Sequence, residues 1–221
     1  EARMQLKPPK SSQALTLARS DYLALARELD LVVHADRHQL RGIIERVRDH
    51  HNDERELRLY VPLAVESLFD PALAPWLVAE LGANNVQSNL LVLEFEAGEV
   101  RNELARLRGA MEALQRVGVR LAFSVHDGSD TDIGKLLGVD AFSAVKLGRL
   151  GEANDSPENA WEPWSNAISQ ARSLGKIVVA GDIAGIADLS VLLKLGVHYV
   201  QGMPLCGWLP EWSYDFGESI G

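Results

Sequence analysis

Short continuous runs of Val, Ile and Leu recur along the chain with helical stretches between them, and this alternation limits the fold more than any other feature. The runs lie at 57–63, 89–95, 119–125, 141–147, 176–180 and 197–200. They are continuous rather than alternating, which is typical of parallel strands buried on both faces. We therefore predict an α/β fold built on a parallel sheet.

The stretches between the runs carry apolar residues at helical spacing and end at glycine. Leu104, Leu107, Met111 and Leu114 precede Gly118; similar stripes at 161–174 and 189–195 precede Gly175 and Gly196. Strand, helix, glycine and strand again form the βα repeat of a barrel or a doubly wound sheet. With a partial run at 1–6, the chain has about seven strands. We expect an eighth upstream of Glu1, and one domain over 1–221 that is the C-terminal part of a longer protein.

Composition excludes several classes of function. The net charge of −9 argues against broad binding to nucleic acid or to an anionic membrane. The longest apolar runs are too short to span a bilayer. A single cysteine, Cys206, excludes an intramolecular disulfide and fits a reducing compartment. These features favour a cytoplasmic protein.

The last strand and its continuation read Leu195-Gly-Val-His-Tyr-Val-Gln-Gly-Met-Pro-Leu, which resembles the closing motif of the EAL family of bacterial cyclic-di-GMP phosphodiesterases. Glu1-Ala-Arg3 resembles the triplet that names the family, and Val145-Lys146-Leu147 resembles the strand with its catalytic lysine. These motifs keep the family's order along the whole chain. The resemblance implies the EAL type of (β/α)8 TIM-like barrel, whose first strand would lie upstream of Glu1.

The chain departs from the family at the metal-binding positions. Those positions align with Pro62, Ala97, Ser124, Val125 and Gly181. Glu94 and Glu96 lie near Ala97 but out of register with the pattern. Mg²⁺ or Mn²⁺ needs several hard oxygen ligands, which these residues do not supply. The resemblance therefore implies an inactive domain without catalytic residues or a metal site.

The nucleotide-binding positions that the resemblance implies are Glu1, Arg3, Gln5, Lys146 and Gln201. Lys146 would face a phosphate or pair with a structural carboxylate. Gln201 would meet a guanine edge or cap backbone groups, and Arg3 would contact the nucleotide or remain in solvent. Gln5 stands where the family has an arginine that grips a phosphate.

Three functions follow from these residues. The first is a cyclic-di-GMP receptor without a metal cofactor. The Tyr-Asp-Phe ending of the aromatic segment 208–216 resembles FimX-type EAL domains, which regulate type IV pili and imply a PilZ-domain protein as partner. Further partners would be upstream signalling domains of the same chain and a second copy in a homodimer.

The alternatives are a protein-interaction scaffold that has also lost the nucleotide, favoured by Gln5, and a residual metal-dependent phosphodiesterase that uses Glu94, Glu96 or Asp127.

A pair of histidines, His34 and His38, is spaced to lie on one face of a helix, as metal ligands can be. No third ligand accompanies them in the sequence, so a solvated helix face is the favoured interpretation.

Overall fold

The computed structural model of the chain describes residues 19–49, 58–126, 133–152 and 154–205. The strands are β1 (Leu59–Pro62), β2 (Leu91–Glu96), β3 (Arg120–Val125), β4 (Phe142–Gly148), β5 (Ile177–Gly181) and β6 (Tyr199–Val200). The helices are α1 (Arg19–Glu28), α2 (Val32–Asp49), α3 (Leu73–Asn84), α4 (Ala97–Val117), α5 (Gly134–Leu137), α6 (Pro157–Trp161), α7 (Ser165–Ser173) and α8 (Ala187–Leu195).

The sheet has its six strands in chain order from β1 to β6. β1 pairs with β2, β4 with β5, and β5 with β6, each in parallel. Each predicted run overlaps one of these strands, and β2, β4 and β5 end one residue beyond their runs. The predicted partial strand at 1–6 lies outside the described residues. Parallel neighbours in chain order need a crossover between them, and the intervening helices supply it.

Backbone contacts divide the chain into two compact units, one ending at Ala122 and one beginning at Phe123. In the first unit, α4 buries Leu107, Met111 and Leu114, as its helical stripe predicts. Gly118 ends this helix with φ of 93°, and a Cβ there would lie 2.5 Å from Ser88 Oγ. Only glycine adopts this left-handed conformation at so little cost, so the predicted stop is confirmed.

In the second unit, the stripe predicted as one helix over 161–174 is broken into three pieces. α6 ends at Trp161, a 3-10 turn covers Glu162–Trp164, and α7 begins at Ser165. Pro163 lies in that turn and lacks the backbone N–H that a continuous helix needs. Trp161 and Trp164 are both buried, and Trp164 Nε1 donates to the carbonyl of Gly148 at 3.0 Å.

No helix within the described ranges has the combination of length and apolar character that crossing a membrane requires.

Candidate functional site

Lys146 lies in the middle of β4 with only 1% of its surface exposed. β4 is paired with β5 so that Lys146 is opposite Val179, and Gly148 is opposite Gly181. The lysine side chain passes over Gly181: a Cβ at that position would lie 2.9 Å from Lys146 Cε. The stem of Lys146 therefore fills the space that a side chain at position 181 would enter.

Gln201 directly follows β6 on the other side of β5. Its backbone N–H donates to the carbonyl of Ala180 at 2.8 Å, and its own carbonyl accepts from Ile183 N–H at 3.2 Å. Because Ala180 is paired with Val200, the next residue, Gln201, is level with Gly181. Lys146 is level with Val179 and Tyr199, two residues earlier along the strands, so alternation puts Lys146 and Gln201 on the same face of the sheet. Two inter-strand spacings and a two-residue offset separate their Cα atoms by roughly 12 Å.

Close backbone approach at the carboxyl end of β4 leaves no room for a side chain. A Cβ at Gly148 would lie 3.0 Å from His126 Cα and 3.1 Å from the carbonyl oxygens of Val125 and His126. His126 Nδ1 lies 3.9 Å from Asp182 Oδ2, and both side chains are about half exposed. Asp182 has φ of 57°, an uncommon conformation for a residue other than glycine.

The first unit carries one acidic residue that the sequence comparison placed out of register. Pro62, the last residue of β1, is paired with Glu94 in β2. Glu94 is therefore level with the strand end, whereas Ala97 already begins α4. Glu94 is 3% exposed. Glu96 turns back to cap α4, because its Oε2 accepts from the backbone N–H of Glu99 at 2.8 Å.

The described residues that align with the family's metal ligands supply few oxygen atoms. Pro62, Val125 and Gly181 have no side-chain oxygen, and Ser124 offers a hydroxyl that is 3% exposed. Within the described ranges, no group of three or more His, Cys, Asp or Glu residues is arranged to hold a metal ion. Four residues that entered the ligand predictions lie outside those ranges: Glu1, Arg3, Gln5 and Asp127.

Asp36, which lies between His34 and His38 in α2, is a buried residue that the sequence analysis missed. His34 and His38 are exposed, as the favoured interpretation predicts, whereas Asp36 is 1% exposed. Its Oδ2 accepts from Ala64 N–H at 2.8 Å and from Ser67 Oγ at 2.7 Å. Burial raises the pKa of the Asp36 carboxyl, against the opposing effect of Arg19. Asp36 thereby holds the segment that follows β1.

A second missed pair, Arg149 and Asp188, lies beyond the carboxyl ends of β4 and β5. Arg149 Nε is 3.4 Å from Asp188 Oδ2, and both side chains are almost fully buried. The only sequence signal for Asp188 is its place in the first turn of α8, where acidic residues are common.

The chain belongs to the EAL domain family, whose model matches residues 1–206. This confirms the resemblance seen in the motifs and the EAL type of α/β barrel that it implies. An uncharacterized 76.5 kDa protein of Thiocystis violacea is 26% identical over 217 residues, which are 98% of this chain. The chain spans about 30% of the length of that relative.

Solved EAL domains share this fold. The FimX EAL domain of Xanthomonas citri in complex with c-diGMP is 21% identical, with a TM-score of 0.82 over 96% of this chain and 83% of that one. The FimX EAL domain of Pseudomonas aeruginosa bound to c-di-GMP is 22% identical, with a TM-score of 0.76 over 92% and 80%. PaMucR phosphodiesterase, in a c-di-GMP complex, is 18% identical, with a TM-score of 0.76 over 92% and 81%. At these identities the likeness shows the fold alone, which FimX domains share with a phosphodiesterase.

Proposed function

We propose that this domain binds cyclic-di-GMP, does not hydrolyse it, and passes the binding event to a protein partner. The observation that carries the proposal is the set of residues at the strand ends: Pro62, Val125 and Gly181 stand where the family pattern has oxygen ligands, while Lys146 is kept and lies over Gly181. In the EAL pattern these positions hold the metal that activates water. Replacing them removes hydrolysis without removing the sheet face that meets a nucleotide.

Glu94 is the one observation that favours residual phosphodiesterase activity. It is a buried carboxylate level with the end of β1, where an EAL enzyme holds metal. A divalent metal in such a site needs several oxygen ligands at near-octahedral geometry. At the end of β1, Glu94 supplies one carboxylate and Pro62 adds none. We therefore keep hydrolysis as the less favoured function.

Recognition of the nucleotide is assigned to the residues that keep polar side chains at EAL positions. Lys146 and Gln201 share a face of the second unit across β5, so a charged donor and an amide can meet one ligand. Glu1, Arg3 and Gln5 complete the proposed binding set. Two FimX EAL domains of the same fold are bound to this nucleotide, which supports the choice of ligand.

The receptor is proposed to act in the cytoplasm on a PilZ-domain protein, as the FimX-type resemblance implies. Domains upstream in the same chain and a second copy are further proposed partners. A relative with about three times the length of this chain is consistent with further domains in such proteins.

A protein-interaction scaffold without the nucleotide is the second candidate, and Gln5 is the residue that favours it. A glutamine amide at that position lacks the charge and the bidentate fork with which arginine grips a phosphate. If this contact dominates affinity, the domain keeps its partner but not its ligand.

Isothermal titration with cyclic-di-GMP, with and without Mg²⁺, separates these functions. We expect binding that does not depend on Mg²⁺, no linear dinucleotide product, and weaker binding by Lys146→Ala. Lys135→Ala, which removes an exposed lysine from α5, is the matched control and should bind as the wild type does. Absence of binding at micromolar nucleotide supports the scaffold. A linear product that disappears in Lys146→Ala supports the enzyme.

A further inference from the structure

The buried ion pair of Arg149 and Asp188 joins two loops that follow neighbouring strands. Arg149 is the first residue after β4, and Asp188 lies in the first turn of α8, after β5. Their side chains are 5% and 2% exposed. Arg149 Nε makes no hydrogen bond, so its contact with Asp188 is one of charge alone. The cost of removing two charges from water offsets much of their attraction, so stability is a weak explanation for such a pair.

Arg149 holds the loop between β4 and α6 with its two remaining nitrogens. Nη1 donates to the carbonyl of Glu152, and Nη2 donates to the carbonyl of Asp155 at 2.5 Å. The loop is also closed on itself, because Asp155 Oδ2 accepts from Glu152 N–H at 2.8 Å. The planar guanidinium can make these contacts and face Asp188 at once, which a lysine cannot do.

Asp188 holds the loop after β5, and through it the segment that carries Gln201. Its Oδ2 accepts from Ala184 N–H at 2.7 Å. The preceding residue, Ile183, donates its N–H to the carbonyl of Gln201 at 3.2 Å. A Cβ at Gly202 would lie 2.8 Å from the carbonyl oxygen of Ile183, so the two segments are in direct backbone contact.

We propose that Arg149 and Asp188 are positioning residues for the nucleotide. The pair links the loop after β4 to the loop after β5, and so sets the place of Gln201 relative to Lys146 across β5. Both side chains are already engaged with backbone groups of their own loops, so both act through the backbone that they hold. This inference rests on the proposed binding of cyclic-di-GMP.

Asp188→Asn is the variant that isolates the charge, since an asparagine oxygen can still accept from Ala184 N–H. Arg149→Met removes both the hydrogen-bonding guanidinium group and its charge. Lys176→Met is the control: Lys176 lies just before β5, at the opposite end of the strand, and its Nζ donates to the carbonyls of Val139 and Phe142. The Lys176→Met substitution removes a buried cation and its hydrogen bonds without changing the loop after β4 or the loop after β5.

The experiment measures the dissociation constant of cyclic-di-GMP by titration calorimetry, unfolding in urea, and hydrogen exchange of the Ile183 amide. We expect Asp188→Asn and Arg149→Met to weaken binding about tenfold or more, since small displacements of contact groups have effects of this size. Exchange at Ile183 should become faster in both. Lys176→Met should lose stability but keep the wild-type dissociation constant and Ile183 exchange.

The possible failures can be told apart. If the wild type itself does not bind cyclic-di-GMP, the proposed function is refuted, and the positioning role with it. If the wild type binds and the Asp188 and Arg149 variants bind no more weakly than Lys176→Met does, only the positioning role is refuted. Unchanged Ile183 exchange in Asp188→Asn also refutes it, because the pair then does not hold the loop.

Discussion

Replacing Asp36 with alanine should destabilise the first unit far more than an ordinary helix substitution does. The side chain is 1% exposed and accepts hydrogen bonds from Ala64 N–H and Ser67 Oγ, which belong to residues that are themselves buried. Each donor left unsatisfied costs about 1–3 kcal/mol. Arg19, 3.2 Å from Oδ1, is 16% exposed and can regain water. With two such donors, the expected loss in unfolding free energy is about 2–6 kcal/mol.

Asp36→Asn separates shape from charge. Its amide oxygen can replace Oδ2 toward Ala64 and Ser67, while its NH₂ faces Arg19, so we expect a loss of about 1–2 kcal/mol. The pH dependence has a definite sign. Burial raises the pKa of Asp36 in the folded state, so above about pH 4 the folded protein holds a proton that the unfolded chain releases. The stability contributed by Asp36 is full below that pH and falls as pH rises through the folded pKa.

Urea unfolding followed by circular dichroism tests both variants, at pH 4.5 and at pH 7.5. The difference in unfolding free energy between the wild type and Asp36→Asn should shrink at the higher pH. Asp49→Ala, at an exposed position in the same helix, should stay within about 0.5 kcal/mol of the wild type. The reasoning fails if Asp36→Ala matches that control, or if the Asp36→Asn difference grows with pH.

Three further substitutions test single contacts. Gly181→Glu introduces a carboxylate at the end of β5, where the side chain of Lys146 already fills the space. We expect the unfolding free energy in urea to fall by about 1–3 kcal/mol and a hydrolysis assay to give no linear dinucleotide. Formation of that product would contradict the prediction. Lys176→Met leaves two carbonyls without their donor and should cost about 1–3 kcal/mol. Burial lowers the pKa of Lys176 in the folded state, so between the folded and unfolded pKa values the unfolded chain binds more protons than the folded protein. The stability difference between the wild type and Lys176→Met should therefore widen as pH rises from 7 toward 10. A difference that shrinks with pH would refute the burial of the Lys176 ammonium. Glu96→Ala removes the carboxylate that caps the Glu99 N–H and should lower the unfolding free energy by about 0.5–2 kcal/mol in thermal unfolding. Nucleotide binding should stay unchanged. Weaker binding at unchanged stability would instead make Glu96 a residue that contacts the ligand.

Local signals in the chain were enough to predict the six strands and the C-terminal ends of three helices. Continuous apolar runs place strands because burial on both faces excludes polar residues throughout their length. Gly118, Gly175 and Gly196 end their helices with φ of 93°, 68° and 78°, since only glycine enters that region freely. The prediction of one continuous helix over 161–174 was wrong because the apolar spacing continues through Pro163. Proline interrupts the backbone hydrogen bonds of a helix without changing the spacing of the side chains.

The candidate site was only partly predictable from the chain. The motifs identified Lys146 and Gln201, but their common face across β5 follows from the strand register. Register also makes Glu94 level with Pro62, which counting along the motif did not reveal. The nucleotide-binding roles of Glu1, Arg3, Gln5, Lys146 and Gln201 all stay predictions from the motif.

The sequence by itself determined the βα order, the approximate positions of the strands and membership of the EAL family, because all of these are written in neighbouring residues. The loss of carboxylates at the family's metal positions stays a prediction from the same motifs. The tertiary structure alone decided which polar side chains are buried and which partners they meet. Asp36 reaches Ala64 and Arg149 meets Asp188 over long stretches of chain, where sequence spacing carries no information. Burial is a property of the packed fold: it raises the pKa of the Asp36 carboxyl and leaves Arg149 facing Asp188 with little access to water.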